Sequence, residues 1–199
     1  MVRKRKSTIV RKKQIIDAAR KLIVKHGSEH ITVRGIAKEV NISEAAIYRH
    51  FKSKREILSF LANNITDSLL EDINQLADEK FTSLEAINDI LEGHLSSIEQ
   101  RRGMSFQVIA EIISLGDKKL NWQVTQSIDE YVDRLKALLS RGIKAGLVRD
   151  DVDLEAAALL LFGMIQGLVN IWALSNYKFD LTEKYSTLWK VFRKAVSRV

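Results

Sequence analysis

The hydrophobic residues of this chain recur three and four positions apart over almost its whole length, which is the spacing of the buried face of an α-helix. Short polar stretches separate these segments, and strict apolar–polar alternation typical of a β-strand is not evident. The chain has no proline, which allows long uninterrupted helices. The pattern predicts nine helices, which begin near Arg11, Thr32, Ser43, Ser53, Thr82, Met104, Lys118, Asp153 and Asp180.

Polar residues that can cap helices stand at several of these starting points. Thr32 and Ser43 can each accept a hydrogen bond from a backbone amide of the first turn. Ser53 and Thr82 are each followed three residues later by a glutamate, which is the pattern of a capping box. Gly27 is expected to end the first helix. We therefore predict an all-α fold, with a three-helix helix-turn-helix head on a helical body.

Basic residues are concentrated in the first quarter of the chain. Residues 1–55 contain 16 Lys/Arg and 4 Asp/Glu, whereas residues 56–199 contain 16 Lys/Arg and 21 Asp/Glu. A basic head indicates contact with a polyanion such as nucleic acid, although a solvated lysine-rich surface or an anionic membrane would also fit. We predict a basic flexible arm (1–10), a DNA-binding head (11–53), and a ligand-binding and dimerisation body (54–199).

Composition also narrows the possible chemistry. The absence of cysteine excludes disulfides and thiolate metal sites and is compatible with the cytoplasm. No apolar segment typical of a signal peptide follows the basic N-terminal residues. The four histidines are scattered, and we find no phosphate-binding glycine loop or nucleophile motif. We therefore expect a cytoplasmic, nucleoid-associated protein that is not an enzyme and has no metal or cofactor.

A helix-turn-helix is the clearest local motif. Residues 32–51 read T-V-R-G-I-A-K-E-V-N-I-S-E-A-A-I-Y-R-H-F, two short helices joined by a tight turn at Asn41. Such a unit places its second helix in the DNA major groove, where base edges differ in their donors and acceptors. Small residues on that helix allow close approach. Its exposed side is expected to carry Ser43, Glu44, Ala45, Ala46, Tyr48, Arg49 and His50.

Two cations begin the fourth helix. Lys54 and Arg55 lie in its first turn, where a positive charge opposes the helix dipole. A phosphate docked at this end would offset that cost. The alternative is that both are ordinary solvated side chains. We favour the phosphate.

Several segments of the head resemble one known family. Q-I-I-D-A-A-R-K-L, then glycine, then T-V-R-G-I-A and N-I-S-E-A-A-I-Y-R-H-F-K-S-K agree in order and spacing with the TetR family of bacterial regulators, over roughly residues 11–58. The resemblance implies that Thr32 caps the second helix against a phosphate and that Lys54 contacts phosphate. The full set of implied DNA contacts is Thr32, Arg34, Ser43, Glu44, Ala45, Ala46, Tyr48, Arg49, His50 and Lys54.

Two features of this surface leave alternatives open. Glu44 departs from what a polyanion favours, so it either accepts from a cytosine amine or points aside. The basic residues Arg3 to Lys6 either follow the DNA backbone and minor groove or form a solvated tail. Tyr48 and His50 could also be packing residues, and the motif favours DNA contact for both.

The eighth predicted helix is a candidate dimer interface. It is almost wholly apolar from Ala156 to Leu174, as is typical of a helix buried on several sides. A transmembrane helix is the alternative, but acidic residues at one end and two internal amides disfavour it. The resemblance implies a homodimer through the last two helices. We predict interface residues Leu160, Gly163, Met164, Gly167, Ile171, Trp189 and Phe192.

The resemblance further implies a small-molecule pocket in the body. Each candidate could equally be ordinary core packing, and few basic residues occur in the predicted core, which argues against a highly anionic effector. The candidates for its lining are Phe60, Asn64, His94, Phe106, Trp122 and Phe162.

These features predict a sequence-specific transcriptional regulator. We expect a repressor that binds a palindromic operator as a dimer and is released by an effector of unknown identity. Release would be a population shift away from dimers whose recognition helices lie one DNA turn, ~34 Å, apart. The alternative is an architectural or cell-division factor, or an activator, on the same fold without a ligand. Expected partners are double-stranded DNA, a second copy of the chain and the effector, with no membrane.

Overall fold

The computed structural model describes residues 7–26, 31–77 and 84–198. Within these ranges the backbone forms nine α-helices and no strand, which confirms the all-α prediction. One isolated antiparallel bridge joins Val148 and Ser197 in the described part. The helices are α1 (Thr8–His26), α2 (Val33–Val40), α3 (Glu44–Tyr48), α4 (Lys54–Ala77), α5 (Leu84–Gln100), α6 (Met104–Leu115), α7 (Lys118–Lys144), α8 (Leu154–Leu174) and α9 (Leu181–Val196).

Capping side chains set most of the helix starts that the sequence predicts. Asp153 accepts hydrogen bonds from the first-turn amides of α8 at 3.0 and 3.1 Å. Asp180 accepts from the Glu183 amide at 2.7 Å at the start of α9. The capping box at Ser53 differs from the usual pattern. Its Oγ accepts from the Glu56 amide, but the Glu56 carboxylate accepts from the amide of Lys52, at 2.6 Å, instead of that of Ser53. The predicted box at Thr82 and the stop at Gly27 lie outside the described residues.

The predicted N-terminal arm is too long. Helix α1 begins at Thr8, so the last three residues of the predicted arm are helical. Ser7 explains this start, because its carbonyl accepts from the Arg11 amide at 3.0 Å and its hydroxyl lies 3.4 Å from the Val10 amide. Arg3 to Lys6 lie outside the described residues.

The chain divides into two compact units. We call the first the head unit; it comprises the chain up to Ile65 together with Gln107–Val124. The second, the body unit, comprises Thr66–Phe106 and Thr125–Val199. The head unit is larger than the predicted head of residues 11–53, because side chains early in α4 bond to α6 and to the beginning of α7.

Each unit has its own apolar core. In the head unit, α1 packs on α2 and α2 packs on α3. In the body unit, α9 packs on both α5 and α8. Fully buried side chains of the head unit include Ile15, Ile36, Ile47, Phe51 and Leu58, and those of the body unit include Ile87, Leu91, Leu135, Ile165 and Tyr185.

Helix α8 is the one described helix that is long and apolar enough to cross a membrane. That finding rests on length and composition alone, and a core helix of a globular protein passes the same test. Ala158, Leu161 and Ile165 on one face are buried. Leu160, Ile171 and Leu174 on another face are exposed.

Candidate nucleic-acid interface

The helix-turn-helix is built by local hydrogen bonds. Thr32 Oγ1 accepts from the Gly35 amide at 2.9 Å and begins α2, and Ser43 Oγ accepts from the Ala46 amide at 3.2 Å and begins α3. Asn41 ends α2 in the left-handed conformation, with φ 57°, which asparagine tolerates better than most residues. These bonds confirm both predicted caps and the turn at Asn41.

Helix α3 has one buried face and one open face. Ile47 is fully buried, and it fixes which way the short helix faces. Tyr48 is 49% exposed, so its ring is not a core side chain. The remaining open positions of this segment are Ser43, Glu44, Ala45 and Arg49, with Ala46 partly buried.

The beginning of α2 adds polar groups to the same motif. Arg34 is exposed in the first turn, where the predicted phosphate or base contact requires it to be. Thr32 is also exposed, and its hydroxyl oxygen is occupied by the Gly35 amide. The hydroxyl hydrogen of Thr32 therefore remains available to donate to an acceptor such as a phosphate oxygen.

His50 lies among cations at the end of the motif. Burial lowers its pKa, and the charges of Arg11, Lys12 and Arg49 lower it further. Its Nδ1 is buried and has no hydrogen-bond partner in the described part of the chain. A phosphate near this ring would supply a counter-charge for its cationic neighbours. This arrangement suits the predicted phosphate contact.

The first two cations of α4 are already paired. Lys54 Nζ donates to Glu111 of α6 at 2.8 Å, and the Glu111 side chain is only 7% exposed. Arg55 Nη1 lies 2.9 Å from Asp117, which precedes α7. These carboxylates offset the cost of cations at a helix N-terminus, the role that the sequence analysis assigned to a phosphate. The phosphate contact of Lys54 remains a prediction, and in this structure Glu111 occupies the lysine.

Two of the three candidate pocket residues of the body unit, His94 and Phe162, share a neighbour. Tyr131 of α7 links two of them, with its hydroxyl 2.8 Å from His94 Nε2 and its ring centroid 5.5 Å from that of Phe162. His94 is fully buried and Phe106 is 6% exposed. The His94 ring thus has the interior hydrogen bond that the core-packing alternative expects.

The candidate pocket residues of the head unit have other surroundings. Phe60 packs edge-on against Phe51, with centroids 5.8 Å apart. Asn64 Nδ2 donates to the Phe60 carbonyl of its own helix at 2.7 Å. Trp122 is 65% exposed. The sequence could not distinguish these placements, because an aromatic at helical spacing suits a core, a surface or a pocket.

The predicted dimer residues separate into two groups. Trp189 and Phe192 are 5% and 3% exposed and stack on each other inside the chain, so the structure contradicts their place on the interface. Helix α9 directs them inward because it packs on both α5 and α8. The exposed large apolar residues of α9 are Leu188 and Val191. On α8, Leu160, Gly163 and Ile171 are exposed, and Met164 and Gly167 are partly exposed.

Sequence reasoning missed Glu111 and Asp117, the partners of the α4 cations. The sequence does contain one indication of Glu111, because it is the one charged residue of helix α6, whose other residues are uncharged. An isolated carboxylate in such a helix needs a counter-charge when it is buried. Its partner could not be inferred, because Lys54 lies 57 positions away.

Comparisons with known proteins agree with this architecture. Residues 15–59 match the model for bacterial regulatory proteins of the tetR family, and residues 63–195 match the YsiA-like protein C-terminal region. The second match covers well over half of the chain. In the described residues, no cluster of three or more His, Asp or Glu side chains could hold a metal ion.

Similar proteins include regulators and a nucleoid occlusion factor. The fatty acid metabolism regulator protein of Bacillus subtilis (strain 168) is 28% identical, over 84% of this chain and 86% of its own. The nucleoid occlusion factor SlmA of Vibrio atlanticus (strain LGP32) is 30% identical, over 90% and 92%. The transcriptional regulator FadR of Bacillus subtilis, solved with stearoyl-CoA, has a TM-score of 0.76 at 23% identity, over 90% and 96%.

Regulators of this family bind DNA, act as dimers, bind small-molecule ligands and are not enzymes. The helix-turn-helix geometry and the match along nearly the whole length give one conclusion: the chain belongs to the TetR family of DNA-binding transcriptional regulators.

Proposed function

We propose that this regulator is a repressor, which binds a palindromic operator as a homodimer and leaves it when a small-molecule effector binds. The observation that carries the proposal is the open face of α3, where Tyr48 and Arg49 are exposed beside the small residues Ala45 and Ala46. A short capped helix with this surface can enter a major groove, and two-fold symmetry of the protein would match a palindrome. Either this function or the alternative below places the chain in the cytoplasm, on the nucleoid.

The proposed dimer interface is the open face of α8 with the neighbouring residues of α9. Leu160 and Ile171 are 59% and 60% exposed, and Val191 is 69% exposed. A Cβ atom added at Gly163 or Gly167 would meet nothing within 4 Å in the same chain. The packing of the single chain therefore does not require these glycines, whereas close approach of a partner helix would.

For the effector we propose a molecule whose buried part is a long apolar chain, of the fatty acyl class. Two of the similar proteins are a fatty acid metabolism regulator and FadR with stearoyl-CoA. Among the described residues, buried polar or charged side chains are few: His94, Ser105 and Glu111. Such surroundings suit an apolar chain better than a highly charged group.

The test begins with selection of bound duplexes from a random-sequence library, followed by Kd measurement on the selected duplex. We expect a two-fold symmetric sequence, and about tenfold or greater weakening for Tyr48→Ala, with no change for Lys144→Ala at the exposed end of α7. Fatty acids and acyl-CoA thioesters of increasing length are then added. A wild type that binds every duplex equally would overturn operator recognition. An acyl ligand that binds tightly but leaves the operator Kd unchanged would overturn release.

A second candidate function is supported by the similarity to the nucleoid occlusion factor SlmA. It keeps the DNA-binding head but requires no effector. Chromatin immunoprecipitation separates the two: a few sites near promoters support the repressor, whereas many dispersed sites with no response to acyl ligands support an architectural or cell-division role. An increase of transcription from a bound promoter would indicate an activator.

A further inference from the structure

The head unit contains a cleft that the helix-turn-helix does not use. It has a volume of about 540 Å³ and lies between the beginning of α4 and the beginning of α7. Its lining includes Lys52, Arg55 and Lys119, together with the polar groups of Ser53, Ser59 and Gln123. Gln123 is fixed there by hydrogen bonds with Ser59, 2.8 and 3.1 Å long. The walls are therefore held in place by side-chain bonds across the cleft.

Positive charges outnumber negative charges around this cleft. Its carboxylate, Glu56, accepts a hydrogen bond from the Lys52 amide at 2.6 Å. The guanidinium of Arg55 is paired with Asp117. In the part of the chain that the structure describes, no ion pair is found for the lining residues Lys52 and Lys119, nor for Lys118, which precedes Lys119 and lies outside the lining. The free charge at the cleft is consequently positive.

The position of two of these lysines carries an electrostatic cost. Lys118 and Lys119 form the start of α7, a 27-residue helix that has no acidic residue in its first turn. Cations at that end oppose the helix dipole, and both side chains are exposed. At the start of α4 the equivalent cost is offset by Glu111 and Asp117. At the start of α7 the Asp117 carboxylate accepts from the amides of Lys119 and Leu120 at 3.0 and 3.1 Å, but it is also the partner of Arg55. One carboxylate thus serves the helix start and Arg55, and an anion from outside the chain would add a counter-charge for Lys118 and Lys119.

The cleft begins close to the recognition helix. Lys52 follows Tyr48, the last residue of α3, by four positions, so the chain places their Cα atoms at most about 14 Å apart. This Cα–Cα distance is much shorter than one turn of duplex DNA, about 34 Å. A duplex that contacts α3 therefore brings backbone phosphates into the neighbourhood of Lys52.

We propose that Lys52, Lys118 and Lys119 form a second phosphate-contact surface, which binds the DNA backbone beside the bases that α3 reads. The inference rests on the proposed operator binding. It assigns this role to lysines that are free, while Lys54 and Arg55 serve as internal ion pairs. Contacts of this kind add affinity and salt dependence, without adding sequence preference.

The experiment measures Kd over a salt series for wild type, the double variant Lys118→Gln/Lys119→Gln, and the control Lys144→Gln, an exposed lysine at the opposite end of α7. Two duplexes are used: the selected operator with ten extra base pairs on each side, and a random-sequence duplex of equal length. Each lysine lost from a dimer with two engaged heads should lower the slope of log K against log salt by about 2. We expect the double variant to weaken binding to both duplexes by the same factor, and the control to match wild type.

The outcomes distinguish this inference from the function on which it rests. If wild type binds no DNA, both are overturned. If wild type binds the operator and the double variant has the same Kd and salt slope, only the lysine surface is overturned. A third outcome also overturns the lysine surface alone. In it, inorganic phosphate raises the melting temperature of wild type but not of the double variant, and the two bind DNA equally. The cleft would then bind a small anion instead of the DNA backbone.

Discussion

His50 and Tyr185 show how burial acts on single side chains in this regulator. His50 has a lowered pKa because it is partly buried and faces Arg11, Lys12 and Arg49. Tyr185 is fully buried, and burial raises the pKa of its hydroxyl. In both residues the charged form is disfavoured, but the consequences for stability differ. For His50 the consequence depends on pH, whereas for Tyr185 it depends on the unpaired hydroxyl.

Replacement of His50 by glutamine should change how stability depends on pH. Because the folded pKa of His50 lies below its ordinary value of 6.5, the unfolded chain takes up a proton first as pH falls. The free energy of unfolding should therefore decrease below about pH 6.5 in wild type, and decrease less in His50→Gln. Urea titrations at pH 5.5, 6.5 and 7.5 measure this difference.

Two carboxylates with lowered pKa values, Glu39 and Asp117, should not contribute to the change in stability over this pH range. Hydrogen bonds, to Lys21 and to the Leu120 amide respectively, lower the pKa values of Glu39 and Asp117, so their contributions are lost only at pH values below their ordinary range near 4. Parallel curves for wild type and His50→Gln would show that His50 does not titrate differently in the folded protein.

Removal of the Tyr185 hydroxyl should not destabilise the fold. Its oxygen has no hydrogen-bond partner in the described part of the chain, while its ring stacks on Trp189 with centroids 6.3 Å apart. A buried polar group without a partner costs about 1–3 kcal/mol. We expect Tyr185→Phe to match or exceed wild type in urea unfolding, and Tyr185→Ala to lose about 3–5 kcal/mol. A clear loss in the phenylalanine variant would mean that the hydroxyl has a partner, such as bound water.

At the scale of elements, α7 contains a glycine that packing requires. Gly142 lies inside the helix, where alanine would ordinarily be favoured by about 1 kcal/mol. An added Cβ would lie 2.7 Å from Cγ2 of Val148, a fully buried side chain. Val148 follows the turn after α7 and also forms the bridge to Ser197. The glycine therefore lets the chain turn back closely against its own helix.

Substitution of Gly142 by alanine should destabilise the protein in spite of the gain in helix propensity. Overpacking costs about 1–3 kcal/mol, which exceeds that gain. In Gly142→Ala/Val148→Ala the added methyl has room, so the two changes should be non-additive by at least about 1 kcal/mol. Thermal unfolding of the two single variants and the double variant measures the coupling. Strict additivity would show that this contact does not matter.

At the scale of the whole molecule, exposed apolar surface allows the proposed dimer interface to be tested. Ile171 on α8 and Ile113 on α6 are exposed to nearly the same extent, 60% and 63%. Only Ile171 lies on the proposed dimer interface. The pair therefore provides a matched comparison, in which the same change is made at equal exposure but on different surfaces.

Ile171→Arg should dissociate the dimer, whereas Ile113→Arg should leave it intact. A buried arginine without a partner would be costly in the interface, and the monomer would tolerate it at an exposed position. Sedimentation velocity at micromolar concentration gives the oligomeric state, and we expect at least tenfold weaker operator binding for the monomeric variant. If Ile171→Arg stays dimeric, the interface lies elsewhere. If Ile113→Arg dissociates, α6 belongs to it.

The sequence by itself determined the local features of this protein. Helix periodicity, the caps at Thr32 and Ser43, and the turn at Asn41 depend on residues within four positions of each other, so they could be predicted without knowing the fold. The ordered motif of the head indicated the family for the same reason. Caps at Asp153 and Asp180 likewise set where α8 and α9 begin.

The tertiary structure alone decided the long-range partners. Periodicity identifies an apolar face of α9 but does not show which of its residues contact α5 and α8. The sequence therefore predicts Trp189 and Phe192 at the dimer interface, whereas both are buried inside the chain. The charge pattern marked Lys54 as exceptional, but only the fold brings Glu111 to it. The physical reason is that a residue's neighbours within one turn are set by the helix itself, whereas those on other helices depend on how the helices pack.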